Sequence, residues 1–307
     1  MRTVCHEFSE PYDTPSFSDE SVFKIKSGTF ELAVIFRILA GTCGITNLNS
    51  NDTAELNINY FFSDHQENSE RNLDFLNSFQ EGLALIDYGE YIRKNAHSNR
   101  KFYKPFLGEL ATAIYCEQKC SHTAAFVHVY RTYEHMAYAF PMIYASKTND
   151  YVGTFENLRK WLSSAKSDEN VGELKFHKAF VCSLFSEQPE ISSTIDIHIS
   201  SREEHKELIF DALCKKVLDW KTPDKFTGGT VRPSKISVNF VDFHSFLVNT
   251  RNRFFHYSNA RADNLGIDEV IDSEMFFSMI NKTAISYIAK IFHEVVTYNM
   301  SKALPSG

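Results

Sequence analysis

Val238-Asn239-Phe240-Val241-Asp242-Phe243-His244-Ser245-Phe246-Leu247-Val248-Asn249-Thr250-Arg251-Asn252-Arg253-Phe254-Phe255-His256-Tyr257 is the stretch on which the fold and the chemistry turn. Phe240, Phe243, Leu247 and Phe254 recur at helical intervals and form one apolar stripe. At about 100° per residue, Arg251 lies at the edge of that stripe, and Asn252 and His256, four apart, share a neighbouring face. Arg251 and His256 are about 140° apart on an ideal helix. A long arginine side chain, or fraying of the helix near His256, would bring them to one place. A guanidinium holds a phosphate with a rigid fork of donors, and an imidazole moves protons near neutral pH. The pair suggests phosphodiester chemistry without a metal. The plain alternative is a solvated edge of an amphipathic helix.

The segments around this stretch are helical too. From about Asp268 to Asn299, Phe276, Ile280, Ala284, Ile288, Ile291 and Val295 keep i, i+3/i+4 spacing over one long helix. A second long helix is expected over His122 to Ser146, with Phe126, Val129, Tyr130, Tyr133, Ala137 and Phe140 inward and Pro141 kinking or breaking it. Shorter helices are expected over 107–119, 155–165, 171–185 and from a Ser201 cap to about Trp220. Lys221 to Lys235, with Pro223, Gly228, Gly229 and Pro233, is a loop.

The first hundred residues read less clearly. Residues 1–21 suggest an extended polar arm. Val22–Lys26 and Phe30–Leu39 allow a hairpin about Ser27-Gly28 or a helix through Leu32, Ile35, Phe36 and Leu39. Leu56–Phe62 is equally open. Asn68 to Lys94 reads as one helix with Leu73, Leu76, Phe79, Leu83 and Ile86 on one side. A connector at His97–Lys101 divides the chain into an N-terminal region, 1–100, whose patterning allows α+β, and a helical region, 101–307. The fold class is mainly α.

Composition agrees. The 307 residues are 43% hydrophobic, with 27 Phe and 14 Tyr against only 12 Gly and 8 Pro, which favours helices over turn-rich β structure. No apolar run approaches the ~20 residues of a membrane span, and Met1–Glu7 lacks an apolar signal core. The expectation is a cytoplasmic protein without a membrane partner. The formal net charge of −7 argues against a protein that coats nucleic acid, and leaves room for one local basic cleft. Six cysteines are too dispersed for a disulfide framework. Cys116, Cys120 and His122 lack a second ligand pair at zinc-like spacing. Gly228-Gly229-Thr230 between Lys225 and Arg232 lacks the order of a phosphate-binding Walker loop. No metal and no cofactor are expected.

Arg251, a polar residue, a short apolar run and His256 near the end of a penultimate helix resemble the motif of the HEPN superfamily (higher eukaryotes and prokaryotes nucleotide-binding). That motif is Arg, four to six residues, then His, often with Asn, His or Asp after the Arg. Arg251, Asn252 and His256 match it, and the resemblance covers about residues 105–300. It implies a helical bundle, commonly dimeric, and often a metal-independent endoribonuclease of toxin–antitoxin, phage-defence, CRISPR-associated or RNA-processing systems. Arg251, His256 and Asn252 are then the catalytic candidates, acting on RNA through its own 2′-hydroxyl. Arg253 and Tyr257 are candidates for RNA contact. Members often add an acidic or polar group from an earlier helix. His128, Arg131, His135 and Tyr138, with Glu134 beside them, form a polar row that offers one, and Glu134, Arg131 and His135 are the accessory candidates. The implied partners are RNA, a second copy completing the site, and an antitoxin or sensor protein. Two rivals stand beside this reading: a non-catalytic HEPN-like module that binds a partner protein or a nucleotide, and an unrelated helical scaffold carrying the motif by chance.

Overall fold

The computed structural model describes residues 1–11, 17–64, 67–68, 71–79, 81–146, 151–164, 173–218, 234–256 and 264–303. The protein is mainly helical, with a small antiparallel sheet near its N-terminus. β1 (His6–Ser9), β2 (Gly44–Asn47) and β3 (Asp52–Glu55) pair in that order, with Phe8 opposite Ile45 and Ile45 opposite Ala54. The expected polar arm therefore contributes a paired strand. α1 (Glu31–Leu39) settles the open choice in favour of a helix. Every residue of α1 is buried, so no polar face marks its period. One of those residues is Arg37. Its guanidinium is satisfied by Glu10 at 3.0 Å, the Phe23 carbonyl at 2.7 Å and Thr42 Oγ1 at 2.6 Å. A charge can be buried at tolerable cost only when paired and hydrogen-bonded in this way. The chain then turns at Gly41, at φ +66°, where a Cβ would lie 2.5 Å from the Ile58 carbonyl oxygen. Only glycine fits there.

The single helix expected over Asn68–Lys94 is corrected. Two helices, α2 (Leu76–Phe79) and α3 (Leu85–Asn95), are separated by Gly82 at φ +79°. A left-handed residue resets the helical phase, so Leu73, Leu76 and Leu83 are buried while Ile86 is 68% exposed.

The remaining helices are α4 (Arg100–Gln118), α5 (His122–Ser146), α6 (Tyr151–Ser164), α7 (Glu173–Leu184), α8 (Glu203–Ala212), α9 (Phe243–Phe255), α10 (Ile267–Val270) and α11 (Ser273–Ala303). α5 lies between α4 and α11 and packs most extensively on both. Its six inward residues are all buried, and the helix runs on through Pro141 without breaking. Side chains from both sides of residue 100 share one core, with Phe36 of α1 against Phe292 of α11 at 5.2 Å between rings. Among the described residues, no helix is long and apolar enough to cross a membrane.

Three further expectations change. Arg202, not Ser201, is the N-cap residue of α8, which passes into a π-helical turn at Leu213–Val217. The last helix is split: Ile271, at φ +67°, separates α10 from α11, and Asp272 Oδ1 accepts the Met275 amide at 2.9 Å where α11 starts. Val238 and Asn239 belong to a strand. β4 (Thr194–His198) and β5 (Lys235–Asn239) form a second antiparallel pair, with Ile197 opposite Ile236. β5 buries Ile236 and Val238 and exposes Lys235 and Asn239, the alternation of a half-covered strand. A 3₁₀ turn at Phe240–Asp242 joins it to α9. The Lys225–Arg232 loop lies outside the described residues.

Candidate functional site

α9 is the helix that carries the Arg–His motif, and its apolar stripe seats it firmly. Phe240, Phe243, Phe246 and Leu247 are buried, and Phe254 packs at 4.9 Å, edge-on, against Phe277 of α11. Phe255, partly exposed, stacks on Phe126 of α5 and Phe277. Polar contacts fix the helix along its length. Lys178 Nζ reaches Asp242 Oδ1 at 3.1 Å and Ser245 Oγ at 3.2 Å. His244 Nδ1 lies 2.7 Å from the Tyr133 hydroxyl. Asn249 donates to the Val217 carbonyl at 2.7 Å. At the C-terminal end the Leu265 amide donates to the Arg253 carbonyl at 3.0 Å, satisfying one of the carbonyls a helix end leaves open.

Arg251 is half-buried on this rigid base. Its guanidinium carbon sits 5.2 Å from the centre of the Tyr130 ring of α5, within cation–π range. Its Nη1 donates to Asn252 Oδ1 at 3.0 Å. The Tyr130 hydroxyl is close enough to Glu134, one turn further along α5, to feel its charge. Burial pushes that phenol up to about 12; the Glu134 carboxylate adds to the shift and the Arg251 charge opposes it. Arg251, Asn252, Tyr130 and Glu134 are therefore brought together at the contact of α5 and α9. The guanidinium is held by a ring face and an amide, an arrangement that fixes its position before any ligand arrives.

His256 is the C-cap of α9, exposed, with φ −103° and ψ 65°. The helix ends at Phe255, so the imidazole is released from the 140° helical phase that separated it from Arg251. Arg253 is half-buried in the last turn. Tyr257 lies outside the described residues, as does the side chain of Tyr138.

The other accessory candidates go elsewhere. Arg131 pairs with Glu109 of α4 at 3.0 Å, and His128 Nδ1 meets the same carboxylate at 2.7 Å. His135 is half-buried and, among the described residues, makes no hydrogen bond or ion pair with the Arg251 cluster. The polar row is thus divided: Glu134 interacts with Tyr130, whose ring faces Arg251, while Arg131 and His128 turn to α4. Tyr130, a residue of the expected core stripe of α5, is buried, and its face also supports Arg251. Its four-residue spacing from Glu134 was the available signal. Among the described residues, no group of three or more His, Cys, Asp or Glu side chains is placed to hold a metal ion. Near the cysteine pair, His122 Nδ1 and Asn281 Nδ2 both bond Glu117 Oε2 at 2.8 Å.

Comparison with protein-family models, with curated proteins and with solved structures finds no match to this chain.

Proposed function

We propose that the protein is a metal-independent endoribonuclease of HEPN type, with Arg251, Asn252 and His256 as its working groups. The observation that carries this reading is a preset guanidinium, fixed between Tyr130 and Asn252, followed five residues later by an exposed imidazole at a helix end. The reaction breaks the P–O5′ bond and forms a P–O2′ bond. His256 of one copy takes the 2′-hydroxyl proton as the oxygen attacks phosphorus, and a second imidazole protonates the departing 5′-oxygen. Arg251 offsets the charge that builds on the phosphoryl oxygens. Asn252 orients the guanidinium, and the Tyr130 ring lies beneath it. The products are a 2′,3′-cyclic phosphate and a 5′-hydroxyl.

One chain has one His256, and the reaction needs an acid and a base. A two-fold dimer that sets the two α9 ends face to face supplies both, because an isologous interface doubles every group at its axis. A role as a toxin or phage-defence effector goes with the same reading. The test is incubation of the purified protein with total RNA in excess EDTA, followed by end-group analysis. Cleavage leaving cyclic phosphates is the expected result. Intact RNA under all ionic conditions, or cleavage only with added magnesium or manganese, rejects the proposal.

A further inference from the structure

A cleft of about 680 Å³ opens between β4 and α11, and neither Arg251 nor His256 lines it. Small-molecule sites are commonly about 300–1,000 Å³. On the α11 wall, Lys282, Ser286 and Lys290 recur every four residues and so follow one face. On the opposite wall, Thr194, Asp196 and His198 recur every second residue, while Ile197 between them is buried. The lining is thus rich in hydroxyls and charges of both signs.

Its charges are not mixed at random. Asp196 is already engaged, accepting from Lys235 at 2.7 Å and Ser237 at 2.5 Å. At one end Lys290 Nζ donates to Ser63 Oγ at 2.8 Å, with Glu190 also in the lining. At the other end Lys282 is exposed and forms no ion pair among the described residues. Between the two lysines Ser286 is 4% exposed, and its hydroxyl has no hydrogen-bond partner among the described residues. Buried hydroxyls normally have one. Lys282 and Lys290, eight residues apart, are separated by about 12 Å along the helix axis. That span exceeds an inorganic anion and matches an elongated small molecule with an anion at one end and hydroxyls at the other.

We propose that this cleft binds a sugar phosphate, its phosphate on Lys282 and its hydroxyls on Ser286, Lys290 and Glu190. Lysine offers three donors to the phosphate; the Glu190 carboxylate accepts from sugar hydroxyls; Ser286 gains the partner that the described residues do not supply. The site is independent of the ribonuclease reading.

Titration calorimetry of the full chain with ribose 5-phosphate tests it, with ribose and inorganic phosphate as controls. Ribose 5-phosphate should bind and each control should bind far more weakly. Lys282→Ala, an exposed position, should lose about tenfold to a hundredfold in affinity, the usual range for a hydrogen bond to a charged group. Ser286→Ala removes a buried hydroxyl without a partner, so it should weaken binding while leaving thermal stability intact. His256→Ala should bind like the parent, which separates failure here from failure of the ribonuclease reading. No binding of ribose 5-phosphate, equal binding of inorganic phosphate, or unchanged affinity in Lys282→Ala would overturn the proposal.

Discussion

Acidification should weaken this fold through buried histidines of α9 and α11, and one carboxyl group should hide about half of the effect. His244 of α9 and His293 of α11 are buried, and burial pushes both imidazoles down from 6.5 to about 3; Lys178 adds to the shift at His244. The folded state keeps them neutral, whereas the unfolded chain protonates them below pH 6.5. Their contribution is therefore complete above pH 6.5 and is lost as the pH falls toward 3. Between pH 6.5 and 4.5 the linkage relation gives a loss of about 2 kcal/mol for each, about 4 for the pair. His177, buried and lowered well below its ordinary value, works in the same direction. Glu294 opposes them. Burial, with Glu190 nearby, raises its carboxyl from 4.5 to about 7, against the hydrogen bond from Gln188. Its folded form is protonated while the unfolded chain stays ionised down to pH 4.5. Over the same interval it restores about 2 kcal/mol. Urea unfolding, followed by circular dichroism at fixed protein concentration and salt, should show the parent losing about 2 kcal/mol or somewhat more from pH 6.5 to 4.5. Glu294→Gln, which cannot titrate, should lose about 2 kcal/mol more than the parent over that interval. Carboxylates with lowered pKa, such as Asp196, are common to both proteins and cancel in the comparison. Equal pH slopes for the two proteins, or a parent that gains stability on acidification, would refute the reasoning.

His256→Ala should reduce RNA cleavage by about 10²–10⁴-fold with an unchanged circular dichroism spectrum; Arg251→Ala should cost about 10²–10³-fold through lost charge stabilisation. Equal rates in well-folded variants would remove both residues from the mechanism. An oligonucleotide with one 2′-deoxyribose at the cleaved position should resist cleavage there and nowhere else, since the attacking oxygen is gone. Cleavage at the deoxy position would point to an external nucleophile. Light scattering should give the mass of a dimer, and a mixed dimer of parent and His256→Ala chains, left with one imidazole at the axis, should lose most of its activity if the site is shared between copies. A monomer that cleaves RNA at full rate would end the composite-site idea. Gly41→Ala should destabilise the fold by more than about 1 kcal/mol in the same urea assay, because φ is positive and the new Cβ meets the Ile58 backbone. An unchanged midpoint would contradict that contact.

What could be seen in the sequence depended on whether each segment keeps a polar face. α5 and α11 do, and their inward residues are the ones that periodicity picks out. α1 is buried on every side, so its apolar run carries no period and hairpin and helix look alike. β4 and β5 escaped notice for another reason. Ile236 and Val238 alternate as a strand, but Phe240 and Phe243 begin the helical stripe at once, and the two patterns merge into one apolar segment. Gly82 and Ile271 break helices by adopting positive φ, which for isoleucine has no sequence signature. At the site, spacing puts Arg251 and Asn252 at the edge of one helix and allows that helix to end near His256, and this much is legible in the sequence. The choice of Glu134 over Arg131 is not. It depends on Glu109 of α4 drawing Arg131 and His128 away, a contact between helices that no local pattern encodes.

The charge of the chain bears on how such a site would work. At −7 the protein cannot hold RNA by broad counterion release, which needs many lysines and arginines along the backbone. Affinity would have to come from few contacts, and few contacts act well only if they are rigid. The Arg251 guanidinium meets that requirement, because the Tyr130 face and Asn252 remove much of the rotamer freedom that an arginine would otherwise lose on binding. Glu134 interacts electrostatically with the same tyrosine, and no ion pair joins it to Arg251 among the described residues. A phosphate then has only to displace the Asn252 carbonyl oxygen, a weak neutral acceptor, from Nη1. An arginine locked to a carboxylate would present a far larger barrier to the same exchange. On the proposed reading, the arrangement favours brief, local engagement of a phosphodiester over tight storage of RNA, in keeping with a net charge of −7.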